Sequence, residues 1–375
     1  MAEKFSLKDH LFNKEKVTKL AQEIQEAYPQ FDSVNFISSI LIEFPKLELK
    51  QRISHITEML KENLPRNYPE ALNVILHALP EKNDTNKTDN DFGDFIYAPY
   101  TNFVAQYGRS NEHLTISLEA LREITMRFSA EDSIRYFINE FPKETYEELL
   151  KWSKDSNYHV RRLASEGTRP KLPWSQKITV LPDNTLPILD NLFHDSTRYV
   201  TRSVANHLND LSRIKPELVI STLKKWQKSG RQNEKEMSYI TSHSLRTLIK
   251  QGYDSAFELL GYSSSTISIS NFNISNPVYM NQSLEFSFSL TPDIDESIII
   301  DYRINFQNKK GEMKSEKVFK LKKLSLKKDA QVKIFKKHKL NEFMTTRTLY
   351  PGIHKLSILI NGKSVLEQEF KLKRN

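Results

Sequence analysis

From Leu7 to about Tyr262 the apolar residues recur every three or four positions, the period of helices that bury one face. VNFISSILIEF (34–44), LKQRISHITEML (49–60), HLTISLEALREITMRF (113–128), TYEELLKWS (145–153) and ELVISTLKKW (217–226) are separated by Pro, Asn, Asp or Gly breakers. An array of short helices is therefore predicted. After Gly261-Tyr262-Ser-Ser-Ser-Thr266 the period drops to two. TISISNFNI, SLEFSFSL, SIIIDYRINF, EKVFKLKKL, QVKIF, HKLSILI and VLEQEFKL alternate apolar with polar, with a turn every eight to twelve residues. That spacing predicts an immunoglobulin-like β-sandwich of ~100 residues. Asn361-Gly362, between the last two segments, predicts a type I′ hairpin. Tyr350-Pro-Gly, just before HKLSILI, has the look of a tyrosine corner.

A repeat lies within the helical part. Asp155, Val160, Arg162 and Ala164 are matched forty residues later, within one position, by Asp195, Val200, Arg202 and Ala205. A further copy in SHSLRTLIKQG places Arg246 forty-four residues after Arg202. Periods of this size belong to paired-helix solenoids of the HEAT type, in which each unit buries its apolar face against its neighbours. The first hundred residues show no clear repeat, and an irregular helical bundle is the alternative. PEKNDTNKTDNDFGDF (80–95) is polar and acidic, and is expected to form a surface loop dividing the first helices from the repeats. The expected fold class is multidomain, α then β: a HEAT-like helical repeat domain over residues 1–262 and an Ig-like β-sandwich over 266–375.

A chain of 375 residues exceeds the usual size of a single core, in keeping with two domains. The absence of cysteine removes disulfides, thiolate metal sites and cysteine nucleophiles together. MAEKFSLKDHLFNKEK has neither an apolar signal core nor an Arg-rich transit pattern, and no stretch approaches a membrane span. A cytoplasmic protein without membrane association is expected. The net charge of +8 is unevenly placed: 35 Lys and Arg stand against 36 Asp and Glu up to Tyr262, and 20 against 11 beyond it.

No Walker loop, GxGxxG, HExxH, GxSxG or EF-hand loop is present, and the ten histidines show no metal-ligand spacing. Nucleotide hydrolysis and zinc chemistry are set aside, and no metal or cofactor is expected. HVRRLASEGTRPKLPW (159–174) is different. At 100° per residue, Arg162, Glu166 and Arg169 fall within about 40° of one line, opposite Val160, Leu163, Ala164 and Gly167. Glu166 then reads as a surface carboxylate between two guanidinium groups, which would hold it ionised. The alternative is an ordinary Arg/Glu pair on a wet helix face, worth about 0.2–0.5 kcal/mol. A basic loop with Pro170 and Pro173 follows, and ends on Trp174, either a core plug or an exposed stacking surface.

The run VRRLASEGTRPKLPW, with FSAEDSIRYF (128–137) and YTNFVAQYG (100–108) upstream, resembles the AlkC branch of the AlkC/AlkD-type DNA alkylpurine glycosylases. The resemblance covers the helical array and extends to the C-terminal Ig-like domain that many members of this branch carry. It implies a DNA repair enzyme that removes cationic N3-alkylated bases, such as 3-methyladenine and 3-methylcytosine, from double-stranded DNA. Such a base is already a good leaving group, so what helps is an ionised carboxylate beside the sugar to stabilise oxocarbenium-like charge and orient water. Glu166 suits that role. Glu131 is the second carboxylate the resemblance singles out. Its own sequence context supports a place in the first turn of a helix, with Ser129 as N-cap and Asp132 completing a capping box. Here the chain departs from its relatives, with Asp132-Ser133 where they usually have Phe-Ala, and Tyr136 where they have Pro.

In the same reading Trp174 lies against the damaged nucleotide, where an indole face attracts a cation by ~0.5–2 kcal/mol. Arg162 and Arg169 contact phosphates or hold Glu166, and Lys171, Arg198 and Arg202 are neighbours on the concave face. For each arginine a structural salt bridge is the competing role. Thirteen lysines against three acidic residues between Lys309 and Lys339 suggest a phosphate-binding arm, with Lys322, Lys323, Lys327, Lys328, Lys336 and Lys337 as candidates. The expected protein is a monomeric, cofactor-free, monofunctional glycosylase that needs no protein partner. Its rivals are a non-catalytic HEAT-like DNA- or protein-binding scaffold and a protein-binding adaptor using the sandwich.

Overall fold

Among the described residues, sixteen α-helices precede ten β-strands. The computed structural model describes every residue except 1–5, 85, 87–91, 180–181, 263–265, 345–346 and 375. Ser263 to Ser265, where the expected domain boundary falls, and much of the acidic 80–95 loop lie outside the described residues. The helices are α1 (Leu7–Leu11), α2 (Lys14–Ala27), α3 (Ser33–Glu43), α4 (Leu49–Asn63) and α5 (Tyr68–His77) before that loop. After it come α6 (Ala98–Tyr107), α7 (Leu114–Ile124), α8 (Ile134–Glu140), α9 (Pro142–Trp152), α10 (Tyr158–Gly167) and α11 (Leu186–Leu192). The last are α12 (Arg198–Leu211), α13 (Pro216–Ser229), α14 (Glu234–Ser244), α15 (Arg246–Gln251) and α16 (Asp254–Leu259). The chain forms two compact units, Met1–Ile214 with Lys225–Ser244, and Lys215–Lys224 with Leu245–Asn375.

In the first unit α10, α12 and α14 lie side by side in one layer, while α9 and α11 pack between and behind them. This is HEAT-like stacking, and its period has a chemical cause. Asp155 Oδ1 accepts from the backbone N–H of Asn157, and Asp195 Oδ1 from that of Thr197, each at 2.8 Å, so each aspartate caps the turn entering an inner helix. Each also accepts an arginine from the preceding repeat, Arg122 Nε at 2.8 Å and Arg161 Nε at 2.5 Å. Arg198 Nε reaches Glu236 in the same manner, at 2.9 Å. The further copy expected at Arg246 is misplaced. The third inner helix is α14, which starts thirty-six residues after α12, whereas α12 starts forty after α10. Only residues 212–215 separate α12 from α13, against 168–185 between α10 and α11, so the period shortens and Arg246 falls beyond the layer.

His207 of α12 fastens this layer from within. It is completely buried; Nδ1 lies 3.0 Å from Ser165 O of α10 and Nε2 lies 3.1 Å from Thr185 Oγ1. Trp152 and Trp226 are also core residues, the latter stacked on Phe193 at 4.5 Å with its Nε1 donating to Asp190 at 2.6 Å.

The second unit is an Ig-like sandwich. Its strands are β1 (Ser268–Ile274), β2 (Val278–Tyr279), β3 (Ser283–Thr291), β4 (Glu296–Phe306), β5 (Ser315–Leu326), β6 (Val332–Lys339), β7 (Phe343–Met344), β8 (Arg347–Thr348), β9 (Gly352–Ile360) and β10 (Lys363–Lys373). One sheet has the order β1-β3-β6 and the other β2-β10-β9-β4-β5. Alternate residues such as Phe286, Phe288, Ile300, Tyr302, Leu356 and Phe370 fill the space between them. Asn361 (φ +46°) and Gly362 (φ +81°) form the expected two-residue hairpin. A Cβ on Gly362 would stand 2.6 Å from Phe257 Cε2, so this turn is also where α16 docks. The expected tyrosine corner is built differently: Tyr350 offers its backbone carbonyl, which His354 Nε2 meets at 3.0 Å. The lysine-rich β5 and β6 are edge strands of opposite sheets, and they abut where Phe319 meets His338 at 4.6 Å between ring centroids.

Burial lowers the pKa of His207 to about 4 from its ordinary 6.5. The unfolded chain therefore binds this proton at a pH where the folded chain does not, and stability is lost as pH falls from 6.5 towards 4. The first unit should lose up to about 3 kcal/mol across that window. Urea unfolding of the wild type and of a less stable His207→Asn variant checks this: the variant should show the flatter pH dependence, and parallel curves would remove His207 as the cause.

Candidate active site

α10 opens with the Asn157 side chain accepting from His159 N–H at 2.9 Å, and ends at Gly167. A Cβ there would come within 2.5 Å of Ile134, so glycine lets α8 close against the end of α10. Every residue of α10 is buried except Arg161, which is partly buried. The expectation of a surface carboxylate is thereby corrected. Glu166 is 4% exposed, because the charged side of α10 faces α12 rather than water. In an array, an inner helix has a neighbour on either side, and its polar row must find partners there.

Those partners form a line of alternating charge. Glu166 Oε1 accepts from Arg169 Nη1 at 2.5 Å, and Oε2 from Ser203 Oγ of α12 at 2.6 Å. Arg162 Nη2 stands 3.8 Å from Oε2. Arg169 Nε continues to Asp210 Oδ2 at 2.9 Å. In the other direction Arg162 Nη1 donates to Glu131 Oε2 at 2.8 Å and approaches Ser129 Oγ at 2.9 Å. The two carboxylates singled out in the sequence are thus bridged by one guanidinium. Burial by itself would raise the Glu166 pKa, but Arg162, Arg169 and the Ser203 hydroxyl outweigh it and hold the carboxyl below its ordinary value. Burial likewise opposes the charge of Arg162, which Glu131, Tyr199 and Glu166 restore and strengthen.

Glu131 is not in a helix. Residues 131–133 form a turn and α8 begins at Ile134; the Ser129 hydroxyl donates to Glu131 Oε2 at 2.8 Å instead of capping. The reason is that Ser129 and Glu131 act together as the receptor for Arg162. Unlike Glu166, Glu131 is partly exposed. Phe92, 42% exposed, and Tyr199 lie on the Arg162 guanidinium, with ring centroids at 5.0 and 4.3 Å.

The loop after α10 is stapled from behind by Arg135 of α8, 1% exposed, which donates to Gly167 O, Arg169 O and Gln176 O at 2.7–2.9 Å. Burial brings the pKa of Arg135 down to about 10. Trp174 is 77% exposed, which decides against a core plug, and its φ of +65° is costly for a bulky residue. Its carbonyl accepts from Lys50 Nζ of α4. Lys171 is exposed and Arg202 half-buried. Arg198 is committed to Glu236 and stacks on Tyr239 at 3.8 Å. On the sandwich, Lys322, Lys323, Lys327, Lys328 and Lys337 are exposed and Lys336 half-buried; Lys327 pairs with Asp295 and Lys337 with Glu285. Among the described residues, no group of three or more His, Asp or Glu could hold a metal ion, and no helix is long and apolar enough to cross a membrane.

Ser203, Asp210, Arg135, Tyr199 and Phe92 complete the site and were not anticipated. Two had a signal: Ser203 and Asp210 lie 37 residues from Glu166 and 41 from Arg169, about one repeat along the chain.

Residues 102–245 match the profile of the DNA alkylation repair enzymes, and residues 268–374 match that of the C-terminal Ig-like domain of the uncharacterised protein YhaZ. Over 359 residues the chain is 33% identical to the uncharacterized protein YhaZ of Bacillus subtilis, covering 94% of this chain and 96% of the relative. The Pseudomonas fluorescens alkylpurine DNA glycosylase AlkC, solved bound to DNA containing an abasic-site analogue, is also 33% identical, with a TM-score of 0.86 over 98% of this chain and all of that one. The chain belongs to the AlkC-type branch of the DNA alkylation repair enzyme family, the branch with a C-terminal Ig-like domain.

Proposed function

We propose that this protein is a monofunctional DNA glycosylase that hydrolyses the N-glycosidic bond of cationic N3-alkylated bases, 3-methyladenine and 3-methylcytosine, and leaves an abasic site. The observation that carries the reading is the buried carboxylate of Glu166, set between Arg169 and Arg162 and joined through Arg162 to the partly exposed Glu131. As the C1′–N bond breaks, its electron pair neutralises the cationic base and positive charge grows on the sugar. A nearby carboxylate stabilises that charge and takes the proton of the water that bonds to C1′. Glu131 meets solvent in the free protein. Glu166 acts through the same bridge, because Phe92, the exposed ring on the Arg162 guanidinium, is the group that bound DNA would displace first. Catalytic contacts of this kind tighten only in the complex.

In this reading Trp174 supplies an exposed indole for the cationic base, and the Arg135 staple sets where the loop presents it. Lys171, Arg202 and the lysines of β5 and β6 add phosphate contacts without reading sequence. The protein acts on double-stranded DNA as a monomer, without a cofactor. A second reading has an observation of its own. Glu166 already has partners for both carboxylate oxygens without DNA, as a purely structural ion pair in a scaffold would.

Base release decides between them. Incubation with methylated DNA should liberate 3-methyladenine and 3-methylcytosine well above background, and no release would leave the scaffold. Glu166→Gln should still bind lesion DNA while releasing base about 100-fold more slowly or worse; wild-type release would take Glu166 out of the chemistry. Lys322, Lys323, Lys336 and Lys337 changed together to Gln should weaken binding to all duplexes alike and flatten its salt dependence. Binding measured from 0.05 to 0.2 M salt, if unaltered, would dispose of the lysine arm.

A further inference from the structure

Away from Glu166, on the side of the array where outer helices turn into inner ones, three successive turns border a cleft of about 530 Å³. Ser153 and Lys154 come from the α9–α10 turn, His194 and Asp195 from the α11–α12 turn, and Arg231 from the α13–α14 turn. The charge of this cleft is unbalanced. Its carboxylate, Asp195, is fully engaged by Arg161, whose Nε and Nη2 reach the two oxygens at 2.5 and 3.1 Å. Arg161 is in turn neutralised by Asp195, and its Nη1 donates to Asp155 O and Ser156 O at 2.9 Å, so four of its five N–H donors are engaged. Two cations remain, Lys154 and Arg231, both exposed and neither in an ion pair with a carboxylate among the described residues.

Arg231 is held in place by neutral groups. Its Nη2 donates to His194 Nε2 at 2.8 Å, and its guanidinium lies 5.4 Å from the centroid of the Phe193 ring. To accept that bond His194 must be uncharged; burial first, and Arg231 second, lower its pKa accordingly. Gln232 Nε2 ties the Arg231 turn to its neighbour through Phe193 O and Asp195 O, each at 3.1 Å. His194 Nδ1 is buried and has no partner. A guanidinium fork fixed in position, an ammonium lining the same cleft and no uncompensated carboxylate there make a receptor for an oxyanion.

We propose that this turn cleft binds a backbone phosphate of DNA through Lys154 and Arg231, as a positioning contact remote from the reacting base. The proposal rests on the reading of the chain as a DNA enzyme. Its test is the Lys154→Gln/Arg231→Gln double variant, with lesion-free and lesion-bearing duplexes titrated over a salt series and single-turnover base release followed at saturating protein. Loss of this one phosphate contact should lower the slope of log K against log salt by about 0.9 and weaken both duplexes equally, about tenfold at 0.1 M salt. Base release from the saturated complex should stay at the wild-type rate. A wild-type slope in the variant overturns the proposal. So does a variant that loses only inorganic phosphate, followed by the His194 ring NMR signals, because the cleft would then take a free anion and not DNA. Failure of the wild type itself to bind DNA overturns the functional reading instead.

Discussion

An ionised carboxylate buried between two arginines is the constraint on which the helical unit turns. Removing a charge from water costs several kcal/mol, and only close, hydrogen-bonded counter-charges offset it. Glu166 has Arg169 and Ser203 in direct contact and Arg162 beyond, and each arginine in turn reaches a second carboxylate, Glu131 or Asp210. The five charged groups form one line that crosses from the 129–133 turn through α10 to α12. Both arginines stand against Glu166, and the line ties α10 to α12 through Ser203 and Asp210, so it fixes the register of the two helices as well as the state of Glu166.

The surroundings follow from that line. α10 cannot expose any side without opening it, which is why a helix carrying three charges is buried nearly all round. The loop that follows has to leave α10 at Gly167 and turn within a few residues, and Arg135 supplies the three backbone bonds that make the turn definite. The left-handed backbone at Trp174 is costly for so bulky a residue. Strain of ~1–3 kcal/mol persists only where surrounding contacts impose it, and here it leaves an indole in solvent beside a site that binds a cationic leaving group in the proposed chemistry. The basic residues divide by what their partners leave over. Arg161, Arg162, Arg169 and Arg198 are consumed in holding repeats together, while Lys154, Arg231 and the lysines of β5 and β6 keep donors for phosphate.

The architecture could be read from the chain to a large extent. The change of period near residue 262, the seven alternating segments and the Asn361-Gly362 turn correspond to where helices give way to strands, while the compact units divide earlier, α15 and α16 falling with the strands. The forty-residue spacing of Asp155 and Asp195 was real, and its cause is the repeated arginine clamp. What the residues of one helix could not reveal was the environment of their polar face. Angular position separates Arg162, Glu166 and Arg169 from Val160 and Leu163, but it does not say whether water or another helix lies opposite. Ser203 and Asp210 decide that, and they come from the next repeat. Edge lysines were similarly ambiguous. On β5 and β6 they also keep two exposed strand edges from pairing with another chain, a role independent of DNA.

The ionisation of Glu166 in the free protein is the point on which everything else rests. Side-chain carboxyl 13C NMR of glutamate-labelled protein, with Glu166→Gln to assign the signal, measures it directly as pH is lowered. A Glu166 carboxyl still ionised below the ordinary value of 4.5 is the predicted result. Protonation at or above 4.5 would show that burial outweighs the two arginines, and would contradict the account.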